Sequence, residues 1–148
     1  MSLKDQIQDD MKSALRAKDK GRLAAIRLIL AAVKQQEIDE RITLDDMRII
    51  AILDRMIKQR RESIGHFQNA GREDLVAREA FEIDVIRTYL PAALSDAEID
   101  AIIDTAIAAT GAQSVRDLGK VMGVLKGQVQ GRADMAVVSA RVKARFTR

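Results

Sequence analysis

Ser114-Val-Arg-Asp-Leu-Gly119-Lys-Val-Met-Gly123-Val-Leu-Lys-Gly127-Gln-Val-Gln-Gly131-Arg-Ala-Asp134 is the stretch on which the reading of this chain turns. It holds four of the eight glycines in the sequence, one every four residues. At about 100° per residue, Leu118, Met122, Leu125 and Val129 share one face of a helix. Arg116, Lys120, Gly123 and Gly127 fall on roughly the opposite side. Each mid-helix glycine costs about 1 kcal/mol relative to alanine, so glycines on an exposed face weaken the helix with no packing return. Such a face lets something else approach the backbone closely. With Arg116 and Lys120 alongside, a phosphate-bearing partner fits. A second helix packing on the small-residue spacing is the competing reading.

Working outward from that stretch, the sequence is helical on both sides. Ser95-Asp-Ala-Glu98 has the form of a capping box, with Ile99, Ile102, Ile103 and Ala106 as the buried stripe of the helix it starts. Thr110-Gly-Ala112 closes that helix, and Ser114 with Asp117 is expected to cap the glycine-bearing one. After a turn at Gly131–Asp134, Val137, Val138, Val142 and Phe146 mark a last helix, with Arg141, Lys143 and Arg145 outward. Pro91, the chain's single proline, disfavours helix continuation. A domain boundary is placed at Pro91 to Leu94, giving domains 1–92 and 93–148.

Upstream, Ser2-Leu-Lys-Asp5 opens a helix with Ile7, Met11, Ala14 and Leu15 in phase, and Asp19-Lys-Gly21 interrupts it. Leu23, Ile26, Leu30 and Val33 mark a second helix. A third runs from an N-cap at Thr43 or Asp45 to about Asn69, with Met47, Ile50, Leu53, Ile57 and Ile64 inward. A fourth begins at Arg72-Glu-Asp74 and carries Val76, Ala80, Ile83, Ile86 and Leu90. No segment alternates with the period of a strand. The prediction is all-α: an N-terminal domain of about four helices and a C-terminal three-helix domain.

Composition narrows the chemistry. The 148 residues are 47% apolar, 32% charged and only 3% aromatic, so aliphatic side chains must fill the core. There is no cysteine, which removes disulfides and thiolate metal sites. No run approaches the roughly 18 apolar residues of a membrane span, and the N-terminus lacks an apolar signal core. A cytoplasmic protein with no membrane partner is therefore expected. His66 is the sole histidine, Glu79 and Glu82 have no His or Cys nearby in sequence, and no phosphate-binding loop ends in Gly-Lys-Ser/Thr. A solvated face, or pairing of those glutamates with the basic third helix, is the simpler reading, and no catalytic residue, metal or cofactor is predicted.

The net charge of +3 is unevenly spread. Between Leu94 and Val115 every charge is acidic: Asp96, Glu98, Asp100 and Asp104. From Arg116 onward eight basic residues, including Lys120, Lys126, Arg132, Arg141, Lys143, Arg145 and Arg148, face only Asp117 and Asp134. Such a tail is an electrostatic footprint for a polyanion.

The residues also carry a resemblance. Lys58-Gln-Arg60 with Glu62-Ser63, Ala70-Gly-Arg-Glu-Asp-Leu75, Glu79 with Glu82, and Tyr89-Leu-Pro91 resemble the N-terminal half of the YqeY family. Gly111-Ala112, Asp117-Leu-Gly-Lys-Val-Met-Gly123 and Gly131-Arg-Ala-Asp134 are similar to its C-terminal half. The family is related to the tail domain of GatB, the tRNA-binding subunit of the glutamine-dependent aspartyl/glutamyl-tRNA amidotransferase. The resemblance implies tRNA as partner, with amidotransferase subunits or a tRNA synthetase beside it. Matched by motif, the implied contacts are Gly119, Lys120, Gly123, Lys126, Gly131 and Arg132; charge and wheel position add Arg116, Gly127 and Lys143. The catalytic cradle of GatB and the Ser-Lys machinery of its glutaminase partner have no counterpart here. A carbon–nitrogen ligase label would thus be inherited by relationship. The reading is a tRNA-binding helical module; the alternative is a protein-interaction module using the Gly119/Gly123/Gly127 face.

Overall fold

Ser2 starts the first helix by accepting the Asp5 N–H on its hydroxyl at 3.1 Å, which satisfies one of the donors a helix start leaves unpaired. In the computed structural model, which describes residues 1–147, α1 spans Leu3–Arg16, α2 Lys20–Glu40, α3 Asp46–Asn69, α4 Glu73–Arg87, α5 Asp96–Thr110, α6 Leu118–Val129 and α7 Met135–Phe146. A single 3-10 turn, Val115–Asp117, leads into α6. Among the described residues there is no strand, and the chain is all-α. It divides into two units, Met1–Leu90 and Pro91 onward.

In the first unit, Ile7, Ile26, Ile29, Ile49, Leu53 and Ile86 are almost wholly buried, one aliphatic layer contributed by all four helices. Side-chain caps fix the connections: the Asp19 carboxylate accepts the Arg22 N–H and the Asp45 carboxylate the Arg48 N–H. The Leu3 N–H donates to Asp46 at 2.9 Å, tying the starts of α1 and α3. Arg60 on α3 meets Glu82 on α4 at 2.8 Å, both side chains largely buried, as the charge reading of α3 against α4 expects.

Three details of the sequence reading shift. Leu15, placed in phase with Ile7 and Ala14, is exposed at the edge of α1. Met47, expected inward, is 60% exposed; the seam of α3 is Ile49, Ile52, Leu53, Met56 and Ile57, and at about 100° per residue Met47 falls on the side of the helix away from Ile49. The fourth helix stops at Arg87 rather than running to Leu90. Tyr89 instead turns inward and donates its hydroxyl to Asp10 at 2.7 Å, and burial pushes its pKa up further above the ordinary phenol value.

In the second unit, α5, α6 and α7 bury Ile99, Ile103, Ala106, Val121, Leu125, Val129, Val138 and Val142 together. The capping box at Ser95 is formed in both directions, and Gly111 ends α5 in the left-handed conformation that glycine adopts without strain. The turn after α6 uses the same device at Gly131, whose φ is +78°.

Candidate nucleic-acid interface

The glycine-bearing segment forms the helix that its periodicity predicts, with its buried face rotated slightly. Val121, Leu125 and Val129 are fully buried, while Leu118 and Met122 are partly buried at the edge of the core. Gly119, Gly123 and Gly127 lie on the far side, exposed, and a Cβ added at any of the three would meet nothing within 4 Å. Their face is open backbone. No packing within the unit requires glycine there.

The start of this helix differs from expectation. Ser114 makes no side-chain cap bond, and Asp117 does not cap α6. The Asp117 carboxylate reaches backward and accepts the Gln113 N–H at 2.9 Å, a bond that holds its pKa below the ordinary value, with the Lys120 charge adding to the effect. Asp117 thus fixes the 3-10 turn that carries Arg116.

The basic residues separate into two groups. Arg141 bonds Asp96 at 2.8 Å and Asp100 at 3.2 Å, and Arg145 bonds Asp100 at 3.4 Å and pairs with Asp104. The acidic and basic blocks of the sequence therefore neutralise each other across α5 and α7. Spacing decides this, since Asp96, Asp100 and Asp104 form one ridge of α5, and Arg141 and Arg145 one ridge of α7. Arg132 is also engaged: its Nε donates to the Ala92 carbonyl at 3.1 Å, and its own carbonyl accepts the Leu94 N–H at 2.9 Å. Gly131, expected on the contact face, is buried in the turn. The uniform basic tail is thus corrected to a smaller set. Arg116, Lys120 and Lys126 stay exposed around the glycine face, and Lys143 is exposed on α7. Arg148 lies outside the described residues.

Chemically, this face can donate charge-assisted hydrogen bonds and admit a backbone to close range. No group of His, Cys, Asp or Glu among the described residues is arranged to hold a metal ion. His66 is exposed at the end of α3. No helix among the described residues is long and apolar enough to cross a membrane. Sequence reasoning missed the Arg–Asp ladder, although its signal was present as two i, i+4 series of opposite sign.

The chain matches the family model described as Yqey-like protein over residues 4–146. Among curated relatives it is similar to "Altered inheritance of mitochondria protein 41, mitochondrial" of Pyrenophora tritici-repentis, 32% identical over 142 residues, 93% of this chain and 77% of the relative. The proteins of the same name from Lachancea thermotolerans and Eremothecium gossypii are 41% and 40% identical over 99 and 87 residues. Those matches cover 64% and 58% of this chain, and the chain spans about half the length of these two relatives, 52% and 48%. The names of these relatives speak of mitochondria and mention neither tRNA nor an amidotransferase. They overturn the expectation of a cytoplasmic protein. That expectation rested on the weakly apolar start of the chain, but Leu3 and Ile7 are core residues of α1, so this segment answers to packing and does not report a compartment.

Proposed function

The chain belongs to the YqeY family, and from that premise we propose that its C-terminal unit is a tRNA-binding module. The observation that carries the reading is the open glycine face of α6, ringed by Arg116, Lys120 and Lys126 while Arg132, Arg141 and Arg145 are engaged within the unit. A sugar–phosphate strand lies along Gly119, Gly123 and Gly127, with the three cations on its phosphates. Recognition is by shape, because 3% aromatic residues leave few platforms for stacked bases. The same proposal makes the module accessory to an amidotransferase or a tRNA synthetase, which would supply the chemistry.

Fluorescence anisotropy against bulk tRNA and a duplex DNA, at low and near-physiological salt, tests it. The expected result is a preference for tRNA that persists at the higher salt and a salt slope reduced by about one in K120A. Equal, salt-erased binding to both nucleic acids refutes the shaped site. Val115 and Val124, 43% and 45% exposed on the 3-10 turn and on α6, favour a second reading in which a partner helix packs there. On that reading G123L abolishes a protein complex and K120A scarcely alters it.

A further inference from the structure

The first unit carries a feature that the RNA reading does not use. Lys4 near the start of α1 bonds Glu37 near the end of α2 at 2.8 Å, so the two helices run antiparallel, and a groove lies between them. Its bed is apolar. Val33 is buried, and Met11 and Leu30 are partly buried against the core. One exposed lysine lines it from each helix, Lys12 from α1 and Lys34 from α2. The carboxylate of Glu37 does not offset them. It is held by Lys4 and by the Leu44 N–H at 2.9 Å, which together keep its pKa below the ordinary glutamate value.

Positive charge continues toward the α1–α2 turn. Arg16, Lys18, Lys20 and Arg27 are exposed there, and Asp19, the sole acid between Met11 and Arg27, is used as the N-cap of α2. Leu15, 56% exposed, extends the apolar line at that end.

We propose that the α1–α2 groove docks an acidic amphipathic helix of a partner protein. Its apolar stripe lies on Met11, Leu30 and Val33, and its carboxylates face Lys12 and Lys34. Charge complementarity sets the sign of the partner, and the recessed apolar bed sets its class. A phosphate backbone has no apolar groups to bury in such a bed, and a flat bilayer surface does not enter a groove between two helices. A helix does both, with anchors one turn apart. The proposal stands whether or not α6 binds RNA.

The probe is a fluorescein-labelled synthetic helix with leucines at i, i+4 and i+7 and glutamates on both flanks, titrated into the full chain. Saturable binding is expected, weakened about tenfold in K12E/K34E. M11S should weaken it as well, without a change in charge. A peptide with lysines in place of the glutamates should bind K12E/K34E better than the wild type, a reversal that loss of folding cannot produce. Equal affinity for a scrambled peptide of the same charge overturns the proposal, as does failure of the probe to bind. So does a K12E/K34E protein that loses tRNA affinity while keeping the peptide, since the groove then belongs to an RNA surface.

Discussion

Helices α5 and α6 lie side by side in one small unit and are specified in opposite ways. In α5 local and tertiary signals agree: a two-way capping box, acids in the first turn where the helix dipole favours them, a left-handed glycine at the end, and a buried isoleucine stripe. Helix α6 has no side-chain cap and carries three glycines in 12 residues. Its helicity comes from tertiary packing, because Val121, Leu125 and Val129 each gain about 1.5–3 kcal/mol from burial while the glycines cost about 1 kcal/mol apiece. Their charges differ likewise. The carboxylates of α5 are matched by arginines of α7, while the cations around α6 stay exposed. Helix α6 is thus held against its own propensity, with its weak positions on the open side, where the proposed RNA strand would lie.

The largest effect that would sharpen this contrast is at Leu125. Truncation to alanine removes a fully buried side chain from the face on which α6 depends, and should cost about 2–5 kcal/mol in chemical denaturation. The next is opposite in sign. Gly119, Gly123 and Gly127 have free space where a Cβ would stand, so the triple alanine variant should gain about 2–3 kcal/mol. If close approach to the glycines is the function, that more stable protein binds tRNA more weakly. A variant that is more stable and binds equally well would break the argument from the glycine face.

Much of this architecture was legible in the sequence. Ser2, Asp45 and Ser95 cap helices where their spacing says they should, and Gly111 and Gly131 take the turns. What was not legible depends on how helices face each other. Whether Arg141 meets Asp96 and Asp100 or solvent is decided by the packing of α5 against α7, which a one-dimensional charge count cannot resolve. Arg132 looked like a surface cation because its acceptor, the Ala92 carbonyl, lies 40 residues away. Asp117 looked like a forward cap, and its backward bond to Gln113 follows from the 3-10 turn that precedes the helix.

A smaller effect tests the cap of α5 against its absence in α6. Ser95→Ala removes the hydroxyl that accepts the Glu98 N–H and should cost about 1 kcal/mol. Asp117→Ala loses the Gln113 bond ahead of the helix but no cap bond, so amide exchange in the first turn of α6 should stay unchanged while that of α5 speeds up in Ser95→Ala. Equal loss of first-turn protection would mean that the two helix starts are not as different as their hydrogen bonds imply.

The charge ladder gives a still smaller and more informative change. Asp100 bridges Arg141 and Arg145, both half-exposed, so Asp100→Asn should cost about 0.5–1 kcal/mol, less at high salt. It should also release positive charge on α7 and raise affinity for duplex DNA at low salt without improving discrimination in favour of tRNA. That would separate two sources of attraction: generic charge exposed by breaking the ladder, and the shape-dependent recognition proposed for the α6 face. If Asp100→Asn instead increased the preference for tRNA, α7 would belong to the recognition surface, and the division between a neutralised α5–α7 side and an open α6 side would fail.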